Sequence, residues 1–147
     1  LYSCHPRSRK RLEVSGFQLD SRVIQHEPLG FHDYNCLQRN AFAVVSDSGT
    51  LPEESSFFLS IGKPFPAVSI RTSTERPEAL DAGCFVLAGI DTESLLQGVE
   101  MAVQMQQEGC FGTPVADYTG ENVSMKAARL IQSYTGVVNK MVWRKGS

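Results

Sequence analysis

Cysteine is scarce and scattered. Cys4, Cys36, Cys84 and Cys110 form no CxxC pair and no dense framework, which excludes a disulfide-stapled scaffold and a cysteine-based zinc knuckle. All four are expected to be small core residues in a reducing cytoplasm. Apolar runs are short, and without a stretch of about 18 apolar residues no membrane-spanning helix is expected. Positive charge is not in surplus either. With 14 Lys and Arg against 16 Asp and Glu, a net charge of -2 and a pI near 5.9, no broad electropositive field is available to hold a nucleic-acid backbone. The basic cluster of Arg7, Arg9, Lys10 and Arg11 fits a solvated helix face better than a local phosphate contact. His26 and His32 have no acidic partner at metal-ligand spacing, so no metal is expected. No GxGxxG follows a strand, which disfavours a dinucleotide dehydrogenase.

No charged-then-apolar leader precedes the first structured segment, so a soluble cytoplasmic protein is expected. The chain opens on Leu1 rather than Met, directly in an apparent strand, as a stretch from the middle of a fold would. Gly146-Ser147 reads equally as native sequence or as a cloning remnant.

What the sequence does contain is one domain's worth of core, at 147 residues and 41% hydrophobic content. Helical spacing alternates with short β-branched or aromatic runs, the pattern of a Rossmann-like parallel sheet flanked by helices, so the fold class is α/β. Strands are expected at residues 1–4, 21–25, 41–45, 67–70 and 84–87. Ala41 to Val45 is apolar at every position, so both its faces should be covered. Helices are expected after Pro6, over 31–39, from Pro52 to a stop at Gly62-Lys63-Pro64, over 79–82, from a Thr92 cap to Gln107, and from an Asn122 or Ser124 cap to about Tyr134. Leu95, Leu96, Val99, Met101, Ala102, Val103 and Met105 should give the helix after Thr92 its buried side.

Three segments carry chemistry, each following a strand. Ser46-Asp47-Ser48-Gly49-Thr50 places backbone N–H groups at a helix N-terminus, an anion site. Gly49 lets a phosphate oxygen approach the backbone, and the Ser48 and Thr50 hydroxyls can add hydrogen bonds or simply cap the helix. Glu54 lies about 8 Å farther along that helix at 1.5 Å per residue, roughly the offset between a diphosphate and its ribose diol, whereas Glu53 fits compensation of the helix dipole. The second segment runs from Arg71 through Thr74, Glu75 and Arg76 to Glu78; it is either a surface loop held by its own Arg–Glu pairs or, beside a diphosphate, the wall of a cleft. The third is His5-Pro6-Arg7, where His5 is the candidate catalytic residue beside a structural or solvated alternative.

Ser46-Asp47-Ser48-Gly49-Thr50-Leu51-Pro52-Glu53-Glu54, followed by Thr74-Glu75-Arg76-Pro77-Glu78-Ala79 and Gly83-Cys84-Phe85-Val86-Leu87, closely resembles the non-hydrolysing UDP-N-acetylglucosamine 2-epimerase family. The resemblance covers essentially the whole chain. It implies the UDP-binding, carboxy-terminal domain over residues 1–147, one half of a glycosyltransferase-B-type fold whose amino-terminal domain this chain does not contain. Residue by residue, it places Ser48 and Gly49 on the diphosphate, Glu54 on the ribose and Tyr34 near the uracil, where a core role for the ring is an equal alternative. Thr50, where the commonest members have a second Gly, and Val115-Ala116-Asp117-Tyr118 resemble the branch that makes UDP-N-acetyl-L-fucosamine for capsule or O-antigen, while Thr72-Ser73-Thr74 resembles the mainstream loop. The implied reaction inverts C2 of a UDP-N-acetylhexosamine by eliminating UDP to a glycal and re-adding it on the other face. It needs no nicotinamide or other cofactor. The acid–base carboxylates are expected on the amino-terminal domain, the whole enzyme leaves room for a homodimer, and the isolated chain is expected to turn over nothing. A glycosyltransferase half of the same plan and a stand-alone nucleotide-binding module are the competing readings, the first disfavoured by Thr74-Glu75-Arg76-Pro77-Glu78.

Overall fold

A computed structural model of the chain describes residues 1–145; the origin of Gly146-Ser147 concerns residues outside the described ones. In chain order the elements are β1 (Tyr2–Ser3), α1 (Pro6–Ser15), β2 (Gln25–His26), α2 (Phe31–Asn40), β3 (Val44–Ser46), α3 (Leu51–Ser60), β4 (Ala67–Ser69), α4 (Pro77–Asp81), β5 (Val86–Leu87), α5 (Thr92–Gln107) and α6 (Val123–Met141). A 3₁₀ turn at Ala116–Tyr118 precedes α6. The fold is α/β, with β1 paired to β2 in one parallel ladder and β3-β4-β5 in another.

β4 is the middle strand, and its alternation organises the core. Ala67 faces a cluster with Leu51 and Phe58 of α3, Phe65, Ala79 of α4, Cys84 and Phe85, while Val68 faces Ala88 and Ala102, backed by Leu95 and Val99 of α5. The β3–β5 sheet is therefore sandwiched between helices. Complete burial of a side chain such as Leu51 contributes about 1.5–3 kcal/mol. α3 stops where expected: Gly62 adopts φ 70°, its N–H bonds to the Leu59 carbonyl at 3.1 Å, and Lys63 N–H reaches the Phe58 carbonyl at 2.9 Å. Those two bonds form a Schellman cap, with Pro64 beyond it.

Several expectations need correction. The strand expected over residues 21–25 begins at Gln25, because Asp20 Oδ1 accepts the Arg22 N–H at 2.9 Å and folds the preceding residues into a turn. The strand expected over 41–45 begins only at Val44, as β3, and one of its faces is uncovered: Val44 packs against the core cluster, whereas Val45, and Phe42 ahead of the strand, are exposed at this edge of the sheet. Asp91, not Thr92, caps α5, its carboxylate accepting the Ser94 N–H at 3.0 Å. The buried stripe of α5 is Leu95, Gly98, Val99 and Ala102; Leu96, Met101 and Met105 face outward, since only one side of the helix meets β4 and β5.

At the start of α6, Asn122 is in the left-handed region at φ 57° without a side-chain cap, and the helix runs on to Met141. α6 has no buried residue, and Leu130, Ile131, Tyr134, Val137 and Met141 are exposed along it. Cys4 and Cys84 are buried as expected, but Cys36 on the outer face of α2 and Cys110 in the loop after α5 are exposed. Among the described residues, no helix is long and apolar enough to cross a membrane.

Candidate functional site

The turn between β3 and α3 is shaped by short polar side chains that bond to one another. Ser46 Oγ accepts the Ser48 N–H at 3.0 Å, and Ser48 Oγ accepts the Thr50 N–H at 3.3 Å. Neither Ser48 nor Thr50 caps α3 through its side chain; Thr50 is the N-cap residue by position, with φ -90° and ψ -13°. Its hydroxyl instead donates to Glu54 Oε1 at 2.7 Å. A hydroxyl has one proton, so the 2.9 Å contact between Ser48 Oγ and Thr50 Oγ1 must have Ser48 as donor. The result is a directed relay, Ser48 to Thr50 to Glu54.

That relay brings Ser48 and Glu54 closer together than the axial rise of a helix suggests. Side chains on a helix lean toward its N-terminus, so Glu54 lies over Thr50, four residues back, and reaches the turn itself. The other carboxylate oxygen, Glu54 Oε2, accepts from Tyr34 Oη at 3.2 Å and from Gln38 Nε2 at 2.7 Å. Burial first, then the Glu54 charge and its hydrogen bond, push the Tyr34 phenol up to about 12. Tyr34 is thus a half-buried strut whose hydroxyl is tied to Glu54.

Gln38 is the residue that sequence reasoning missed. It is 3% exposed and bonds both Glu54 and, at 3.3 Å, the Tyr34 oxygen, while its Oε1 has no partner among the described residues. The available signal was its spacing: four residues after Tyr34 on one helix puts both side chains on one face.

The loop after β4 closes on the same turn. Arg71 makes a two-pronged pair with Glu75 at 2.8 and 2.7 Å, which holds the Glu75 carboxyl below its usual range. Arg76 Nε lies 2.5 Å from Glu53 Oε1 on the first turn of α3, and that partner pushes the guanidinium pKa up. Glu53 therefore does more than face the helix dipole: it ties α3 to the loop. Thr74 Oγ1 accepts the Arg76 N–H at 3.0 Å and shapes the loop from within. A Cβ added at Gly49 would lie 3.4 Å from Arg71 Nη1 and 4.0 Å from Glu75 Oε2, so the guanidinium stands over the one residue of the turn that has no side chain.

Tyr34, Ser48, Gly49, Thr50, Glu54, Arg71, Glu75 and Arg76 are thus gathered around one turn. Among the described residues, His5 is not tied to that gathering by a hydrogen bond. It is exposed at the start of α1, where its Nδ1 accepts the Arg7 N–H at 3.3 Å, and no hydrogen bond or ion pair among the described residues joins it to the turn. Behind the site, Ser55 Oγ donates to the Cys84 carbonyl and Ser56 Oγ accepts the Val115 N–H at 2.8 Å. These bonds fix α3 against the approach to β5 and the loop before α6. The Tyr118 hydroxyl bonds Glu78 of α4.

Such a site presents hydroxyls, a Gly-lined turn, a braced carboxylate and two guanidinium groups, the set that suits a phosphorylated sugar or nucleotide. Comparison with known proteins agrees with that chemistry. The family model described as UDP-N-acetylglucosamine 2-epimerase matches residues 1–132. A UDP-N-acetylglucosamine 2-epimerase from Methanococcus maripaludis is 36% identical over 121 residues, covering 80% of this chain and 31% of that protein. The solved structure of UDP-N-acetylglucosamine 2-epimerase from Rickettsia bellii is 36% identical, with a TM-score of 0.81 over 97% of this chain and 38% of that one. The Methanocaldococcus jannaschii UDP-GlcNAc 2-epimerase in complex with UDP-GlcNAc and UDP is 28% identical, with a TM-score of 0.69 over 90% of this chain and 34% of that one. In every case the chain spans well under half the length of the protein it matches.

Proposed function

The chain belongs to the UDP-N-acetylglucosamine 2-epimerase family, and on that premise we propose that it is the UDP-holding, carboxy-terminal half of a UDP-N-acetylhexosamine 2-epimerase. The observation that supports this most directly is the relay from Ser48 through Thr50 to Glu54, braced by Tyr34 and Gln38. Ser48 and the Gly49 amide take the diphosphate, and Glu54 takes the ribose diol, exchanging the Thr50 and Tyr34 hydroxyls for those of the sugar. Tyr34 and its helix then border the uracil. A carboxylate already held by three donors costs little further ordering when the ligand arrives.

In the whole enzyme the reaction is C2 inversion through elimination of UDP and its re-addition. This half stabilises the departing diphosphate, and the amino-terminal domain supplies the acid–base carboxylates. His5 is the candidate for proton transfer from this half: with Nδ1 accepting the Arg7 N–H, the neutral ring keeps its proton on Nε2. With this reading go a cytoplasmic location, pairing with the enzyme's own amino-terminal domain, a possible second copy in a homodimer and a role in cell-surface polysaccharide synthesis.

The test is a ligand-detected NMR titration of the purified chain with UDP, ADP and NAD, repeated on Ser48→Ala and Glu54→Ala. UDP is expected to bind in preference to the others, each substitution to weaken it, and the chain alone to show no epimerisation. Equal binding of all three ligands, or indifference to both substitutions, would reject the assignment of this turn.

A further inference from the structure

Val115-Ala116-Asp117-Tyr118 stands out in the sequence, yet the turn between β3 and α3 makes no direct use of it. The stretch is pinned from below. The Val115 N–H donates to Ser56 Oγ at 2.8 Å, Ser56 being fully buried on α3, and the Thr113 N–H donates to the Ala82 carbonyl at 2.8 Å. A Cβ at Gly112 would collide with that same carbonyl oxygen, so backbone rests directly on backbone there. The 3₁₀ turn over Ala116–Tyr118 then lays the Tyr118 ring against the core cluster that holds Leu51, Ala79 and Cys84. Packing of the ring fixes where its hydroxyl sits. That hydroxyl donates to Glu78 Oε1, a residue of the opposite segment, at the start of α4.

Glu78 lies two residues past Arg76, with Pro77 locking the backbone at the first helical position between them. Glu53 first, and then Glu78 and Glu75, raise the Arg76 pKa, so three carboxylate charges bear on one guanidinium. Arg76 keeps Glu53, with Nε 2.5 Å from Oε1, while Glu75 is taken up by the Arg71 fork at 2.8 and 2.7 Å. The choice matters because the Glu53 pair crosses from the loop to α3, whereas a pair with Glu78 would close on the start of α4 and leave the loop untied. The Arg76 and Glu53 side chains are 38% and 35% exposed, and an ion pair that open is held by a small margin. A second free carboxylate beside it is a competitor.

We propose that Tyr118 is a positioning residue: by engaging Glu78 it keeps that carboxylate off Arg76, so that Arg76 stays on Glu53 and the loop stays docked on α3. The consequence for the ligand rests on the reading of the neighbouring turn as the UDP site; the choice of partner by Arg76 does not. Without the Tyr118 hydroxyl, Glu78 turns to Arg76, the guanidinium is shared between two carboxylates, and the loop beside the turn loosens.

The experiment follows the Arg76 Nε–H by NMR in the isotope-labelled chain, assigned by its loss in Arg76→Lys. It compares the wild type, Tyr118→Phe, Glu78→Gln and the double variant Tyr118→Phe/Glu78→Gln, with UDP titrated calorimetrically into each. Tyr118→Phe keeps the ring in the core cluster and removes only the donor. It is expected to shift and broaden the Nε–H signal and to weaken UDP about two- to tenfold, the scale of one hydrogen bond. Glu78→Gln alone removes the competing charge, so the signal stays in place and UDP affinity stays within about twofold. In the double variant no competitor is left, and both signal and affinity return.

An Nε–H signal that Tyr118→Phe leaves unchanged overturns the proposal. So does a loss that Glu78→Gln fails to restore, because Tyr118 then acts through packing of its own segment, whatever charge Glu78 carries. If the wild type and Tyr118→Phe bind UDP equally while Ser48→Ala weakens it, the positioning role is wrong and the reading of the turn survives. If the wild type binds no UDP, that reading falls, and the Nε–H signal still decides which carboxylate Arg76 keeps.

Discussion

The middle of this chain and its two ends are built on different principles. Among the described residues, the buried side chains apart from Cys4 and Gln38 lie between Leu51 and Ala102, gathered on both faces of β4. α1 and α6 have none, although α6 is the longest helix and carries a row of apolar side chains. Helix formation and burial are therefore separable here: α6 has the apolar periodicity of a packed helix without a surface in this chain to pack on. The site lies in the middle region, at its polar rim, where Ser48, Thr50 and Glu54 are held by the same helix whose Leu51, Ser56 and Phe58 enter the core.

The contrast makes graded predictions. Leu51→Ala should destabilise the chain by about 2–5 kcal/mol in urea unfolding, because it empties a completely buried position. Leu130→Ala, at 59% exposure on α6, should change stability by less than about 0.5 kcal/mol. Equal losses at the two positions would erase the distinction. Gly98→Ala comes next, since the new methyl would lie 3.0 Å from Ala88 Cβ and 3.3 Å from Val86 Cγ1. Its gain in helix propensity should be outweighed by a net loss of about 1–3 kcal/mol from overpacking between α5 and the sheet. Gly136→Ala on α6, where a Cβ meets nothing within 4 Å, should stabilise slightly, by about 0.5–1 kcal/mol.

A smaller effect separates the regions by pH. The Ser94 N–H, first of several donors, holds the Asp91 carboxyl below its ordinary value at the start of α5. A depressed folded-state value means stabilisation that is present above the unfolded value and lost as pH falls through the folded one. Asp91→Ala should therefore lower the melting temperature at neutral pH, and the gap to wild type should close in acid. A gap independent of pH would show that the charge is irrelevant to the cap. The least disruptive probe is spectroscopic: an alkaline absorbance titration should show one tyrosine ionising near about 12, and Glu54→Gln should move it down. Burial keeps part of the rise, so the shift should be incomplete.

The sequence was most legible where local chemistry and topology agree. Gly62 and Pro64 stop α3 because a left-handed residue and a missing N–H act locally. The Asp47-Ser48-Gly49 turn and the Thr74-to-Glu78 loop could be read as two strand-following polar segments. Their mutual approach, made by the Arg76–Glu53 pair and by Arg71 over Gly49, is tertiary and has no local signature. Ala41 to Val45 misled because an all-apolar strand does not reveal whether a neighbour covers it, and β3 is at an edge. Gln38 stayed hidden because an amide on a helix looks like surface until its partner, Glu54, arrives from 16 residues away.

The most direct measurement is a map of backbone amide shifts in the isotope-labelled chain as UDP is added. The account predicts that the largest changes fall on Ser46 to Glu54 and on Arg71 to Arg76, with Leu130 to Met141 of α6 unmoved. Shifts centred on α1 or α6, or scattered without saturation, would contradict it.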